Sequence, residues 1–168
     1  MDLGLFIRNN TEGFHTVVDM GAGTGDKLSF VHPTVTRKIA VEIFPAYWSI
    51  IPKEYTAVMR DMREYAHHIP EEYRCCAMLI DSLEHIAKDS GKLFLEDLKA
   101  NFKKVLVFTP LGFHSQEVDV TGMNNPYQVH QCGWMAQELS ALGFVVEEDP
   151  GFHGPRGGAL FAVYTCQP

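Results

Sequence analysis

An acid and three glycines near the start of the chain have the types and the spacing of a ligand-binding loop. Asp19 is followed by Gly21, Gly23 and Gly25 in the pattern D-x-G-x-G-x-G. Glycine has no Cβ atom, so a ligand can approach the backbone closely, and glycine also tolerates the positive φ angles of a tight turn. A short, mostly apolar run, 16–20, leads into the loop. This order predicts a strand, a turn and a ligand site at the turn.

The spacing of the glycines separates two classes of ligand. Dinucleotide-binding loops read G-x-G-x-x-G and hold a pyrophosphate at a helix N-terminus. Here the glycines are spaced by two, and the carboxylate of Asp19 would repel a pyrophosphate. The loop therefore favours a cationic, nucleotide-like ligand, with Gly21, Ala22, Gly23 and Gly25 nearest to it.

Three more acids come at the ends of apolar runs. Glu42 lies about twenty residues beyond the loop, where an acidic side chain can accept hydrogen bonds from ribose hydroxyls. Asp61 and Asp81 each follow a later apolar run. Ligands of open α/β sheets bind outside the carboxyl ends of the strands, so we expect these acids to surround one crevice. Each acid also has a simpler interpretation, as the cap of the following helix or a solvated side chain.

In this order the motifs resemble those of the class I S-adenosylmethionine-dependent methyltransferases. The resemblance implies S-adenosylmethionine as the cofactor, with one carboxylate facing its sulfonium and ammonium groups. It also implies that Glu42 binds the ribose, that Asp61 reaches the adenine amine and that Met62 lies near the ring. The implied cofactor-binding residues are Asp19, Gly21, Ala22, Gly23, Gly25, Glu42, Ile43, Asp61, Met62, Asp81 and Ser82.

The candidate catalytic residues follow the last of these acids. Glu84 and His85 complete a D-x-L-E-H ending after Asp81, and His130 lies in a long segment further on. Methyl transfer is an in-line displacement, so most of the rate can come from positioning, and a base is needed only where the acceptor is protonated. Imidazole titrates near neutrality, so His85 can serve as that base. A purely structural hydrogen-bonding role for His85 is the alternative.

A metal site is not expected from the spacing of the histidines. The chain has eight histidines, but neither H-x-x-x-H nor H-E-x-x-H occurs. Glu84, His85, His114 and His130 could converge in space, which leaves a divalent cation as a less favoured alternative.

The segment 110–131 is too long for an ordinary connection. Structureless loops beyond about 12–15 residues are usually functional or disordered, and apolar residues such as Phe113 and Tyr127 favour a folded lid over the acceptor. Its pattern T-P-L-G-F...N-P-Y-Q-x-H...G-W resembles that of a subgroup of small bacterial methyltransferases. Only fifteen residues precede the first strand, so we expect an open acceptor side or a homodimer partner as the missing wall.

Apolar runs and helical patterns alternate along the chain and predict an α/β fold. The predicted strands are 16–20, 39–44, 55–59, 75–80, 104–109, 144–148 and 159–165. The predicted helices are 26–32, 45–51, 61–69, 90–102 with Ser90 as its cap, and 135–142. Continuous apolar runs indicate strands buried on both faces, so we expect a doubly wound, mostly parallel seven-stranded sheet with helices on both faces, in one domain over 1–168. The resemblance implies the order 3-2-1-4-5-7-6 with strand 7 antiparallel.

Composition narrows the possible partners. The net charge is −7, and residues 105–155 contain no lysine or arginine, so a nucleic-acid partner is not expected. No run approaches the roughly 20 apolar residues of a membrane span. The four cysteines form no C-x-x-C pair, which favours a reduced, cytoplasmic setting. We expect a methyl acceptor that is a small molecule or a glycan, or else a protein surface.

Two other function classes stay open at this point. One is a nicotinamide-dependent oxidoreductase of related architecture, which Asp19 and the glycine spacing disfavour. The other is a cofactor-fold binding module without catalysis, since a fold does not fix a function.

Overall fold

A seven-stranded sheet forms the centre of the computed structural model, which describes residues 1–67, 75–117 and 122–166. The strands are β1 (Thr16–Met20), β2 (Arg37–Glu42), β3 (Thr56–Met59), β4 (Cys75–Ile80), β5 (Lys104–Pro110), β6 (Val145–Asp149) and β7 (Ala159–Thr165). Their order is β3-β2-β1-β4-β5-β7-β6. The pairs from β3 to β5 are parallel, and β7 is antiparallel to both of its neighbours. The expected order and orientation are confirmed.

Both faces of the sheet are buried by apolar side chains. In β4, Cys75, Ala77 and Leu79 belong to the core on one face, and the alternate residues belong to the core on the other. Successive side chains of a strand point to opposite faces, so a continuous apolar run is what a covered parallel strand requires. The central strands are therefore held rigidly, with their carboxyl ends at one edge.

Five helices lie within the described residues. They are α1 (Leu3–Thr11), α2 (Pro45–Trp48), α3 (Met62–Tyr65), α4 (Lys88–Asn101) and α5 (Ala136–Ala141). Helix α4 packs Phe94, Leu95 and Leu98 on one face together with Leu139 of α5. Helix α1 packs Phe6 and Ile7 on the other face. The doubly wound arrangement is confirmed.

Helix α1 was not anticipated from the sequence. Asp2 caps it by accepting a hydrogen bond from the Leu5 amide at 2.8 Å, and Phe6 packs edge-on against Phe161 of β7. This packing places α1 on the sheet face and leaves it outside the linings of the two cavities described below. The helix stabilises the core and does not cover the proposed acceptor side.

Three helix predictions need correction. The predicted helix over 26–32 is a single 3₁₀ turn, Asp26–Ser29, because Gly25 enters it in the left-handed region and Pro33 follows closely. The predicted helix over 61–69 is the shorter helix α3, Met62–Tyr65, with Asp61 as its N-cap; residues 68 and 69 lie outside the described residues. Helix α4 begins at Lys88 with Ala87 at its N-cap, so Ser90 lies inside the helix and is not its cap.

Within the described residues, no helix combines the length and the apolar character needed to cross a membrane.

Candidate active site

The glycine loop turns tightly after β1 and returns toward β2. The amides of Gly21 and Ala22 both donate to the carbonyl oxygen of Val41, each at 3.0 Å. Gly21 has φ +82°, and a Cβ atom there would lie 2.8 Å from the Cβ of Ser82. Gly21 is therefore required both by its backbone conformation and by the close approach of the loop to the end of β4. Gly23 and Gly25 also have positive φ angles.

Asp19 lies beneath this loop in the sheet. Its side chain is 1% exposed, and neither carboxylate oxygen has a hydrogen-bond partner among the described residues. Burial, together with the nearby charge of Glu42, raises its pKa from 3.8 to about 8. Asp19 does not line the first cavity, so any effect it has on a ligand there would be electrostatic and would not involve direct contact.

Glu42 ends β2 and faces the loop. Its two carboxylate oxygens accept hydrogen bonds from the amides of Gly23, at 2.8 Å, and Phe44, at 2.7 Å. Burial raises its pKa although these hydrogen bonds act in the opposite direction. The carboxylate is thus fixed at the cavity wall with lone pairs still available for hydroxyl donors.

Asp61 and Met62 follow β3 and line the same cavity. Asp61 caps α3 by accepting from the amide of Arg63 at 2.9 Å, and the guanidinium of Arg63 pairs with its carboxylate at 2.5 Å. The hydrogen bond from the Arg63 side chain is the main cause of a lowered pKa at Asp61. Both carboxylate oxygens of Asp61 are thus engaged by Arg63 in this structure, and the adenine role of Asp61 stays a prediction.

The first cavity encloses about 250 Å³ at the carboxyl ends of the central strands. It brings together most of the predicted cofactor residues: Gly21, Glu42, Ile43, Asp61, Met62, Asp81 and Ser82. Asp19, Ala22, Gly23 and Gly25 belong to the same loop region but do not line the cavity. The first cavity is also lined by Arg60, Arg63 and Gln131, which were not predicted from the sequence.

Asp81 stands between two cavities. It follows β4 with φ +52°, a left-handed conformation that is uncommon outside glycine, and its side chain faces the cavities. The surrounding protein desolvates the carboxyl group and raises its pKa from 3.8 to about 6. Ser82, next to it, is buried, and its hydroxyl has no partner among the described residues. Strained backbone and unsatisfied polar atoms are common at functional sites.

The second cavity, of about 580 Å³, shares Asp81, His85 and Gln128 with the first. The described parts of the segment 110–131 contribute residues to the linings of both cavities. Asn125 begins a 3₁₀ turn, Pro126–Gln128, by accepting from the Tyr127 amide at 2.9 Å. The described parts of the segment are thus folded, and its role as a lid over the acceptor stays a prediction.

Glu84 lies at the inner wall of the second cavity and is 2% exposed. One carboxylate oxygen accepts a hydrogen bond from the hydroxyl of Thr109 at 3.0 Å. Burial and then the charge of Asp81 raise its pKa from 4.5 to about 8. Thr109, a fully buried polar residue in an apolar strand, was not identified from the sequence, where only its type set it apart.

His85 and His130 meet at the same wall. His85 ends a 3₁₀ turn, Leu83–His85, and its ring lies 4.8 Å from that of His130 between centroids. Burial lowers the pKa of His85 from 6.5 to about 4, so the imidazole is neutral at physiological pH. His114 also lines this cavity, and its ring contacts the carbonyl oxygen of Leu111 at 3.0 Å. The three predicted catalytic residues, His85, Glu84 and His130, are therefore neighbours.

The fold is similar to that of several solved methyltransferases. A SAM-dependent methyltransferase from Archaeoglobus fulgidus superposes with a TM-score of 0.66 at 16% identity, over 93% of this chain and 89% of that one. A 1,6-didemethyltoxoflavin-N1-methyltransferase from Burkholderia thailandensis, solved with its acceptor and S-adenosylhomocysteine, gives a TM-score of 0.69 at 14% identity, over 99% and 77%. The chain has the class I methyltransferase fold.

The same methyltransferase fold also occurs in the small RNA methyltransferase HEN1, with a TM-score of 0.67 at 14% identity over 98% of this chain and 25% of that one. No protein-family model and no curated protein matches the sequence. These neighbours differ in acceptor, so the methyltransferase fold does not choose between acceptor classes.

Proposed function

We propose that this protein is an S-adenosylmethionine-dependent methyltransferase that acts on an oxygen or nitrogen atom of a small-molecule, glycan or protein acceptor. The observation that carries the proposal is the convergence of a glycine loop and the carboxylates of three strand ends, Glu42, Asp61 and Asp81, on one cavity of a methyltransferase fold. Arg60 and Arg63 also line this cavity, and Arg63 pairs with Asp61, so the preference for a cationic ligand over a phosphorylated one rests on Glu42 and Asp81.

The residues present fit this cofactor. Glu42 offers carboxylate lone pairs to ribose hydroxyls, and the absence of a side chain at Gly21 lets the loop lie against Ser82. Asp19 carries a raised pKa because burial disfavours its ionised form, and a cation near it would offset that cost. When bound, S-adenosylmethionine supplies an electrophilic methyl group on a positively charged sulfur.

The second cavity is the acceptor side in this proposal. It opens beside Asp81 and His85, so an acceptor placed there lies next to the cofactor cavity. The Nδ1 atom of His85 faces the carbonyl oxygen of Val129 at 3.2 Å, and a carbonyl only accepts, so the proton is on Nδ1. In this tautomer Nε2 carries the lone pair that can accept a proton or a hydrogen bond from the acceptor.

Charge supports an acceptor other than nucleic acid. The chain carries a net charge of −7, residues 105–155 contain no lysine or arginine, and Arg156 is the one lysine or arginine among the described residues that line the second cavity. Binding a phosphate backbone depends on clustered cations that displace its counterions. A small molecule, a sugar or a protein side chain needs no such cluster.

Ligand-dependent thermal unfolding tests the cofactor assignment. A ligand at 100 times its dissociation constant stabilises a protein by about 2.7 kcal/mol. S-adenosylmethionine and S-adenosylhomocysteine should both raise the unfolding midpoint, and NAD should not. A midpoint that rises only with NAD would support the oxidoreductase alternative instead.

Transfer of a labelled methyl group tests the reaction. Purified protein is incubated with methyl-labelled S-adenosylmethionine and with small-molecule, glycan and protein fractions in turn. Label should appear in at least one fraction. It should be reduced or absent when the same fraction is incubated with the Glu42→Gln or the Gly21→Ala variant in place of the wild type. Cofactor binding without transfer to any fraction would favour the binding-module alternative.

A further inference from the structure

Three side chains of the second cavity form a mixed set of metal ligands. Glu84, His85 and His130 each offer one ligand atom, and these atoms all lie within 4.8 Å of one another. A shared ion with bonds of about 2.0–2.2 Å brings its ligand atoms to roughly 3–3.5 Å apart, so the three side chains would close by about an ångström. Two imidazoles and a carboxylate form a known type of divalent transition-metal site with open positions.

Both histidines are held in the tautomer that a metal requires. The Nδ1 atom of His85 faces the carbonyl oxygen of Val129 at 3.2 Å, and the Nδ1 atom of His130 faces that of His114 at 2.7 Å. A carbonyl only accepts hydrogen bonds, so both protons are on Nδ1 and both Nε2 atoms keep a lone pair. Hydrogen bonding of the second ring nitrogen to a carbonyl is the usual support of a metal-bound histidine.

Glu84 is supported in the same way. Its carboxylate accepts a hydrogen bond from Thr109 at 3.0 Å through one oxygen, which fixes the orientation of the group. The side chain is almost completely buried. A divalent cation bound to the carboxylate would offset the cost of burying its charge.

Backbone hydrogen bonds clamp the two ligand-bearing segments together. The amides of Gln131 and Cys132 both donate to the carbonyl oxygen of Glu84, at 2.9 and 3.2 Å. The side-chain amide of Gln131 donates to the carbonyl oxygen of His85 at 2.8 Å. The lid residue His130 is therefore held against the turn that carries the other two ligands, before any ion binds.

We propose that Glu84, His85 and His130 bind one divalent first-row transition-metal ion at the wall of the second cavity. The imidazole pair favours Zn²⁺, Fe²⁺ or Co²⁺ over Mg²⁺ and Ca²⁺, which prefer oxygen ligands alone. This departs from the expectation of no metal, which rested on spacing along the chain. Binding of the metal ion does not depend on methyl transfer. Only its use rests on the proposed function. A bound ion would take the Nε2 lone pair of His85 and replace that imidazole in activating the acceptor, by lowering the pKa of an acceptor hydroxyl whose proton then leaves to water.

Cobalt titration tests the site directly. Full-length protein is treated with a chelator, freed of it and titrated with Co²⁺ in the absence of adenosyl cofactor, with visible absorption as the readout. The wild type should bind one ion, and Zn²⁺ should displace it while a hundredfold excess of Mg²⁺ should not. No visible band, or displacement by Mg²⁺, would overturn the proposal. Because no methyl group is involved, a failed transfer assay leaves this result unaffected, and the reverse also holds.

Matched variants assign the ligands. Glu84→Gln keeps an oxygen that can accept from Thr109 but removes the charge, and His130→Gln removes an imidazole. Each should weaken Co²⁺ binding at least about tenfold. His67→Ala serves as the control because its side chain is exposed and pairs with Asp97 outside the site. The metal-free unfolding midpoint of each variant reports folding, and unchanged Co²⁺ affinity in a folded Glu84→Gln or His130→Gln protein would contradict the assignment.

Discussion

At the residue scale, the site is defined by carboxyl groups that protein burial has deprived of water. Asp19 and Glu84 are each at most 2% exposed, and within the described ranges neither forms an ion pair. An ionised carboxylate in such a position is costly unless a cation compensates it. The same residues therefore reduce the stability of the ligand-free protein and create affinity for cationic ligands.

Glu42→Gln should weaken binding of S-adenosylmethionine and S-adenosylhomocysteine about 10- to 100-fold. Hydrogen bonds to a charged group contribute about 1.5–3 kcal/mol, and the amide keeps only one acceptor oxygen. Isothermal titration calorimetry measures the change. Glu148→Gln, on the exposed edge strand β6, is the matched control and should bind both ligands as the wild type does. Equal affinities for both variants would remove Glu42 from the ribose site.

At the element scale, the loop after β1 and the end of β4 must approach each other more closely than a side chain permits. The Cβ of Ser82 fills the position that a Gly21 side chain would take, and the left-handed backbone of Gly21 adds a second requirement for glycine. The lid then closes the other side through its contacts with Glu84 and His85. Each element contributes one wall of the two cavities.

Gly21→Ala and Gly13→Ala separate these two requirements. Both glycines have φ near +80°, but nothing lies within 4 Å of a Cβ at Gly13. Gly13→Ala should cost about 1–2 kcal/mol of unfolding free energy from backbone strain alone. Gly21→Ala should cost about 1–3 kcal/mol more because of the clash with Ser82. Urea unfolding measures both, and equal losses would show that the close approach is not required.

At the scale of the whole molecule, the buried acids make stability depend on pH. A carboxyl group with a raised folded-state pKa releases its proton in the unfolded state first, so stability falls as pH rises toward the folded pKa. Asp19 and Glu84 have folded pKa values of about 8. His85, with a lowered pKa of about 4, acts in the opposite sense, and its effect is complete above its unfolded pKa of 6.5.

The unfolding free energy of the ligand-free protein should therefore fall between pH 6.5 and pH 8. Each of the two acids contributes up to about 1.4 kcal/mol per pH unit in that window. Urea unfolding at pH 6.5, 7.2 and 8 measures the slope. Asp19→Asn should roughly halve it, since the amide does not titrate. A flat or rising profile in the wild type would show that these groups are ionised in the folded protein already.

Local patterns were enough to predict the sheet and most of the cofactor cavity. Apolar runs located all seven strands to within about two residues. In the central strands β1, β4 and β5 the reason is that a strand covered on both faces is apolar throughout, whereas the edge strands β3 and β6 are mostly exposed. Helices were harder to predict. The apolar face of α1 packs against Phe161, which is more than 150 positions away along the chain, so local sequence does not reveal its partner. A four-residue turn such as Asp26–Ser29 is too short for hydrophobic periodicity to define its ends.

The sequence by itself determined where chemistry could occur: Asp19 with its glycines, Glu42, Asp61 and Asp81 all mark the carboxyl ends of strands, and that edge follows from strand direction alone. Only the tertiary structure decided which of these groups face a cavity. Asp19 is buried within the sheet, whereas Glu42 and Asp81 line the first cavity. It also decided that His130 meets Glu84 and His85. That contact joins positions more than forty residues apart through backbone hydrogen bonds of the lid, which no local spacing encodes.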